Sequence, residues 1–217
     1  MFKAILPHCK GQILEIGSGI GNISRQFLQS GYRIALSDVR EGYCETLQEN
    51  FSGFENLEAV HLLDLIHPDF DHAYKSLSGK FDTVFALNVA EHIHDDALAI
   101  RNARKLLKDG GNLIILVPAY QFLFNELDRG LEHYRRYTTG SLKKLISSAG
   151  FRIERSWHFN FTGIFAWIIS GKLMGNNIIP GKQMGLYNKF VPLFKLIDKL
   201  IFHKAGLSAI VVGKKAA

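Results

Sequence analysis

The chain has 217 residues, of which 47% are hydrophobic, and a formal net charge of +6. That length fits one domain with room for an appended subdomain, and the apolar fraction excludes a disordered chain. Cys9 and Cys44 are the only cysteines; two exclude a disulfide framework, suit a reducing cytoplasm, and give no zinc-ligand spacing, so no metal site is expected. Residues 1–8 hold no long apolar run, so no signal peptide is expected. The longest such run, residues 164–169, is far below the roughly 18 to 20 residues that a membrane span needs. The charge is uneven. Residues 1–128 carry 11 basic and 17 acidic side chains, whereas residues 129–217 carry 15 and 3. The basic half suits an anionic substrate, anionic lipid or nucleic acid.

Short apolar runs alternate with helical patterns, as in a parallel sheet covered on both faces. The first strand spans 11–17. It runs into Gly17, Gly19 and Gly21, residues that accept positive φ and let a ligand approach the backbone closely. A helix over 22–30 follows, stopped by Gly31, and its first N–H groups are unpaired. Next come a strand over 32–39 that includes Asp38, a helix over 41–50, a strand over 57–64 ending in Asp64, and a weak helix over 67–77. The run 81–89 is apolar enough for a central strand. Residues 95–108 form a helix with acids first and bases last, as its dipole favours. Residues 109–111 read as a turn and 112–117 as a strand stopped by Pro118. Residues 119–137 have no clear period and are long for a connection, the mark of a lid or binding loop. A helix over 138–149, capped by Thr138 or Thr139, and a strand over 151–159 follow. Phe161, Ile164, Phe165 and Ile168 have helical spacing, 171–185 is a Gly- and Asn-rich loop, and Phe190, Leu193, Phe194, Ile197, Leu200 and Ile201 form a second apolar stripe. The last strand spans 207–212.

Two nucleotide readings compete for the glycine stretch. A dinucleotide fingerprint wants a third small residue, and Asn22 stands in its place. The run Glu15-x-Gly17-x-Gly19-x-Gly21-Asn22 instead resembles the first motif of the class I methyltransferases that use S-adenosylmethionine (SAM). Asp38 serves either reading, because a carboxylate at the second strand end can accept both ribose hydroxyl protons. Asp64 and the segment Asn88-Val89-Ala90-Glu91-His92-Ile93 are similar to the methyltransferase pattern alone. The resemblance implies an α/β, Rossmann-like, doubly wound seven-stranded sheet of order 3-2-1-4-5-7-6 with strand seven antiparallel. It implies SAM as cofactor and S-adenosylhomocysteine as product. Glu15, Gly17, Ser18, Gly19, Gly21 and Asn22 would form the cofactor loop. Asp38 and Val39 would flank the ribose, Asp64 and Leu65 the adenine, and Asn88 and Val89 would complete the site. The whole chain, 1–217, is then one methyltransferase domain, with 161–204 an inserted helical cap between the last two strands.

The acceptor side rests on fewer signals. An oxygen or nitrogen acceptor can need a base, and His92 and His133 are the candidates for catalytic roles; His92 equally fits a helix start. Arg135 and Arg136, with Tyr120 and Tyr137, are candidate acceptor contacts, since guanidinium forks suit phosphate or carboxylate; the competing reading is a loop tied down by ion pairs. Residues 117–120 through 137–138 also resemble the methyltransferase type 11 subgroup, related to ubiquinone and menaquinone biosynthesis. A small or amphiphilic acceptor, anionic or lipid-linked, is the leading expectation. Residues 161–204 either close the active site or lie on anionic lipid, peripheral to the inner face of the membrane. Two alternatives stay open. A nucleic-acid methyltransferase is favoured by the basic half but opposed by Val89-Ala90-Glu91 after Asn88, where an Asn-Pro-Pro-Tyr type motif would stand, so no nucleic-acid partner is expected. The other is a SAM-binding protein without catalysis.

Overall fold

Residues 1–169 and 203–216 are described by the computed structural model. The expected loop over 171–185, the second apolar stripe and most of the expected cap over 161–204 lie outside the described residues. The strands are β1 (Ile13–Ile16), β2 (Ile34–Asp38), β3 (Leu57–Leu62), β4 (Phe81–Leu87), β5 (Leu107–Pro118), β6 (Phe151–Phe159) and β7 (Ser208–Lys215). They form one sheet of order β3-β2-β1-β4-β5-β7-β6. The first five pair in parallel, and β7 runs antiparallel to both β5 and β6. This is the Rossmann-like methyltransferase topology that the motifs imply.

Strand side chains alternate between the two faces of a sheet, so each central strand here feeds two cores. Leu14, Ile16, Val84, Leu113, Ile115 and Val211 face one of them. It is closed by α4 (Phe70–Ala73), α5 (Asp96–Leu106) and α7 (Thr139–Ser148) through Phe70, Ile100, Leu106, Leu142 and Ile146. Ile13, Ile34, Leu36, Phe85, Ile114 and Ile210 face the other. There α1 (Phe2–Ile5), α2 (Asn22–Gln29) and α3 (Glu41–Phe51) supply Phe2, Ile5, Phe27, Leu47 and Phe51. Burying each such side chain contributes about 1.5–3 kcal/mol, which fixes the strand register and with it the positions of the loops at one sheet edge. Helix ends follow local chemistry. Asp95 caps α5 by accepting from the Leu98 N–H, and Thr138 caps α7 in a box with Ser141.

Beyond shifts at element ends, three segments differ in kind from the sequence reading. Residues 109–111 are not a free turn. They lie within β5, where the ladder passes from Leu107 opposite Phe81 to Asn112 opposite Thr83, and Gly110 at φ 74° absorbs the extra residues as a bulge. The weak helix over 67–77 breaks into α4 and a 3-10 turn at Lys75–Leu77. The span 119–137 contains a 3-10 turn, Gln121–Leu123, and a short helix, α6 (Glu126–Gly130). A further short helix, α8 (Gly163–Trp167), follows β6. Among the described residues, no helix is long and apolar enough to cross a membrane.

Candidate active site

The loop after β1 turns through three left-handed glycines, Gly17 (φ 69°), Gly19 (φ 52°) and Gly21 (φ 82°). They do different things. A Cβ on Gly17 would strike the Val89 side chain, and one on Gly21 would strike the Phe51 ring, whereas nothing lies within 4 Å of a Cβ at Gly19. The outer two allow close packing; the middle one leaves open a space in front of the loop. Ser18 N–H donates to the Ser37 carbonyl at 2.9 Å, and Gly19 N–H donates to Asp38 Oδ2 at 2.9 Å. The loop is thus pinned to the end of β2. Glu15 braces it from beneath, accepting from the Ser24 hydroxyl at the start of α2. Burial drives the Glu15 carboxyl up to about 8, against the hydrogen bonds from Ser24 and Ser18, so at neutral pH it is mainly a neutral acid.

A cleft of about 990 Å³ opens at this edge of the sheet. Of the expected cofactor residues, Gly17, Gly19, Asp38, Val39, Asp64, Leu65, Asn88 and Val89 line it. Glu15, Ser18, Gly21 and Asn22 are not among its walls; the first three hold the loop from behind. Asp38 Oδ1 accepts from the Arg40 N–H at 3.0 Å, and Asp64 Oδ1 accepts from the Ile66 N–H at 2.8 Å. Each acid is therefore oriented by its own chain and keeps lone pairs for a further donor. Asn88 sits at φ 56°, a conformation that Asn tolerates, and its N–H donates to the Leu116 carbonyl at 2.8 Å. His92, His94, Glu132, His133 and Tyr134 line the same cleft beyond Val89. Acids thus mark the β2 and β3 end, and histidines mark the end toward β4 and the span 119–137.

That span is closed at its base. Tyr120 N–H donates to the Tyr137 carbonyl at 2.7 Å, and Tyr137 N–H donates to the Pro118 carbonyl at 2.9 Å. Inside it, fully buried Asp128 is a hub. Its Oδ1 accepts from Arg136 Nε at 2.8 Å and meets His133 Nδ1 at 2.9 Å, and its Oδ2 accepts from the Asn125 N–H at 3.0 Å. Burial pushes this carboxyl up, but the hydrogen bonds from His133 and Arg136 and the guanidinium charge together hold it below the usual carboxylate range. Arg136 also donates to the Ala119 carbonyl at 3.1 Å, and its guanidinium lies 4.5 Å from the centre of the Trp167 ring. Arg135 donates to Asp96 Oδ2 at 3.1 Å and to the His94 carbonyl at 2.8 Å. The Tyr137 hydroxyl donates to Asp96 Oδ2 at 2.7 Å and lies 3.2 Å from the Ala90 carbonyl.

Of the two readings of Arg135 and Arg136, these contacts match the loop tied down by ion pairs. Arg135, Arg136 and Tyr137 do not line the cleft, because Asp96, Asp128 and backbone carbonyls already engage them. Tyr120 is also off the cleft wall, stacked with Phe122 and His158. His92 and His133 do come together, with ring centres 4.7 Å apart. Burial, then the neighbouring His133 and Arg40, lowers the His92 pKa. Beside them Glu91 is fully buried, and neither of its carboxylate oxygens has a hydrogen-bond partner on another of the described residues. Burial pushes Glu91 up to about 8, opposed first by its own backbone N–H and then by Arg136, with Asp128 adding to the rise.

A family profile described as "Methyltransferase domain" matches residues 5–156. The chain belongs to this family of methyltransferases. SAM is the cofactor that this family implies. A "Highly reducing polyketide synthase" of Pyrenophora dematioidea is 31% identical over 134 residues, 57% of this chain and 5% of that protein. The chain thus spans 3–5% of the length of the curated relatives it matches. Among solved structures, a putative methyltransferase from Bacillus halodurans shares the fold with TM-score 0.64 and 16% identity, over 100% of this chain and 99% of that one. A phosphoethanolamine N-methyltransferase 2 from Haemonchus contortus, solved in complex with SAM, aligns with TM-score 0.64 and 18% identity, over 100% of this chain and 52% of that one.

Several cleft residues of the methyltransferase carried no sequence signal. Tyr43 lines the cleft from the face of α3, and Arg40 and Ile66 reach it from the loops that carry the two acids. Asp128 had one weak signal, an acid eight residues before Arg136 in a segment dense in charge. Glu91 lay within the segment that resembles the family pattern, but its burial had no signal, since an acid at a helix start is ordinarily exposed.

Proposed function

We propose that this cleft holds SAM over the ends of β1, β2 and β3 and a small or amphiphilic acceptor toward His92 and His133. The observation that carries the reading is the order of groups along one cleft: the open space at Gly19, the acids Asp38 and Asp64, then Asn88 and Val89, then the two histidines. The cleft volume lies at the upper end of the roughly 300–1,000 Å³ usual for ligand sites, enough for a donor and an acceptor side by side. The residues fit the cofactor. Asp38 and Asp64 offer carboxylate oxygens at adjacent strand ends for ribose hydroxyls and the adenine amino group, and Val39, Leu65 and Ile66 supply apolar walls. The bound cofactor supplies an activated methyl on a positively charged sulfonium. The protein's own part is to hold the reacting atoms in line and keep water from between them. His92, kept neutral by its surroundings, and His133, oriented by Asp128, stand where the acceptor's proton must be managed. The likeness of the span 119–137 to the type 11 subgroup belongs to this proposal, as does an acceptor larger than a bare metabolite.

Incubation with labelled SAM and cell extract tests the reading. Label should appear in small organic or lipid-linked molecules. Label confined to nucleic acid would favour the competing enzyme class instead, and salt-sensitive binding to RNA or DNA would accompany it. Transfer to no fraction, with SAM bound tightly, would point to a protein that binds the cofactor without using it.

A further inference from the structure

Methyl transfer as proposed leaves Glu91 unexplained. A carboxyl with no exposed surface, whose oxygens meet at most its own backbone N–H, is costly unless something further meets it. Arg136 is close enough to act on it electrostatically, but the Arg136 guanidinium is engaged by Asp128 and the Ala119 carbonyl. What Glu91 does face is the histidine pair. One oxygen of Glu91 and one ring nitrogen each of His92 and His133 lie within 4.8 Å of one another.

We propose that Glu91, His92 and His133 bind a first-row divalent cation of the zinc, cobalt or manganese kind at the acceptor end of the cleft. The donor set is two imidazoles and one carboxylate, which leaves coordination positions open to the cleft. Bonds of about 2.0–2.2 Å to such an ion place ligand atoms roughly 3–3.5 Å apart, so side-chain rotation must shorten the longest separation among the three by about 1.3–1.8 Å. The outer surroundings suit a ligand site. His133 already uses Nδ1 on the buried Asp128 carboxylate, which frees Nε2 and fixes the ring, the arrangement usual behind a metal-bound histidine. The Glu132 carbonyl faces the His92 ring in the same way. The two segments that carry the ligands are stapled together. Tyr134 N–H donates to the Glu91 carbonyl at 2.8 Å, and the Tyr137 hydroxyl ties to Ala90 and Asp96. Sequence spacing could not show this set, because His133 is brought to Glu91 and His92 only by the closed span 119–137; the expectation of no metal site rested on local spacing alone. Resting on the reading that an acceptor occupies this end of the cleft, the inference gives the two imidazoles to the cation in place of a role as base, and the cation ligates an acceptor oxygen there.

Calorimetric titration of the chelator-treated full chain with Zn2+ or Co2+ tests the site without any turnover. The expected result is one saturable equivalent, with Co2+ giving ligand-field absorption that Zn2+ abolishes. Glu91→Gln and His133→Ala should each weaken binding at least tenfold while SAM affinity stays within threefold. Melting curves for both variants show whether they are folded, and His92→Gln serves as a third ligand change if His133→Ala is not. Absence of one-equivalent binding to the wild-type chain by Zn2+, Co2+ and Mn2+ overturns the proposal, as does binding that folded Glu91→Gln and His92→Gln retain. Failure of SAM to bind the wild-type chain would overturn the cofactor reading instead, and the metal titration would still be decisive on its own.

Discussion

The glycine-loop half of the cleft and the span 119–137 are both rich in polar groups, yet they direct them oppositely. Asp38 and Asp64 each use part of a carboxylate on a nearby backbone N–H and present the rest to the cleft. Asp128, Arg136, Arg135 and Tyr137 direct theirs into the protein, where they satisfy one another and nearby carbonyls. The first half is built to receive a ligand. The second is a buried charge network whose output to the cleft is the placement of His133, Glu132 and Tyr134. A dense run of charge in a loop is thus no guide to which way the charge points.

The largest effect that separates the two halves should come from Asp128→Ala. It strands the Arg136 guanidinium in a buried setting and releases His133, and breaking a buried pair in this way costs about 3–5 kcal/mol. Urea unfolding should show that loss while SAM affinity of the folded fraction changes less than threefold. A loss under about 1 kcal/mol would mean the network is looser than its geometry implies. Gly17→Ala comes next. Its Cβ would strike Val89 and its φ of 69° disfavours alanine, a combined cost of about 1–3 kcal/mol. Unlike Asp128→Ala, it should weaken SAM binding as well, because Val89 is on the cleft wall. Gly19→Ala meets no atom and should perturb stability less than Gly17→Ala, through φ alone.

A smaller effect concerns Glu15. Its carboxyl is raised from 4.5 to about 8 by burial, so the folded chain holds a proton that the unfolded chain releases above about pH 4.5. The stability tied to this proton is complete below the unfolded value and is lost as pH rises through about 8. Glu15→Gln removes the dependence. Relative to wild type, it should gain stability steadily from pH 5 to pH 8.5 in paired melting curves. A pH-independent difference would show that Glu15 is ionised in the fold.

The same contrast explains what the sequence made legible. The loop at Gly17–Gly21 and the acids at 38 and 64 follow from spacing within short segments, because a strand end, a turn and a helix start are set by neighbouring residues. The sheet order came from the family resemblance, not from periodicity. The choice between the two readings of Arg136 was not legible, because its partner is fixed by the fold. Asp128 lies within α6 and Arg136 beyond the turn that follows it, and the pair meets inside the span that the Tyr120–Tyr137 hydrogen bond closes. Glu91 was opaque for the same reason: its burial is created by a segment more than forty residues later. The turn expected at 109–111 shows a milder case, a local Gly-Gly signal that the neighbouring strand converts into a bulge.

The central claim is that the cleft at the ends of β1 to β4 binds SAM through Asp38. Calorimetric titration of wild type and Asp38→Ala with SAM tests it most directly. Losing hydrogen bonds to a charged carboxylate removes about 1.5–3 kcal/mol each, so the variant should bind at least tenfold more weakly while Arg135→Ala binds as wild type does. Equal affinity in Asp38→Ala and wild type, or no SAM binding by either, would contradict the account.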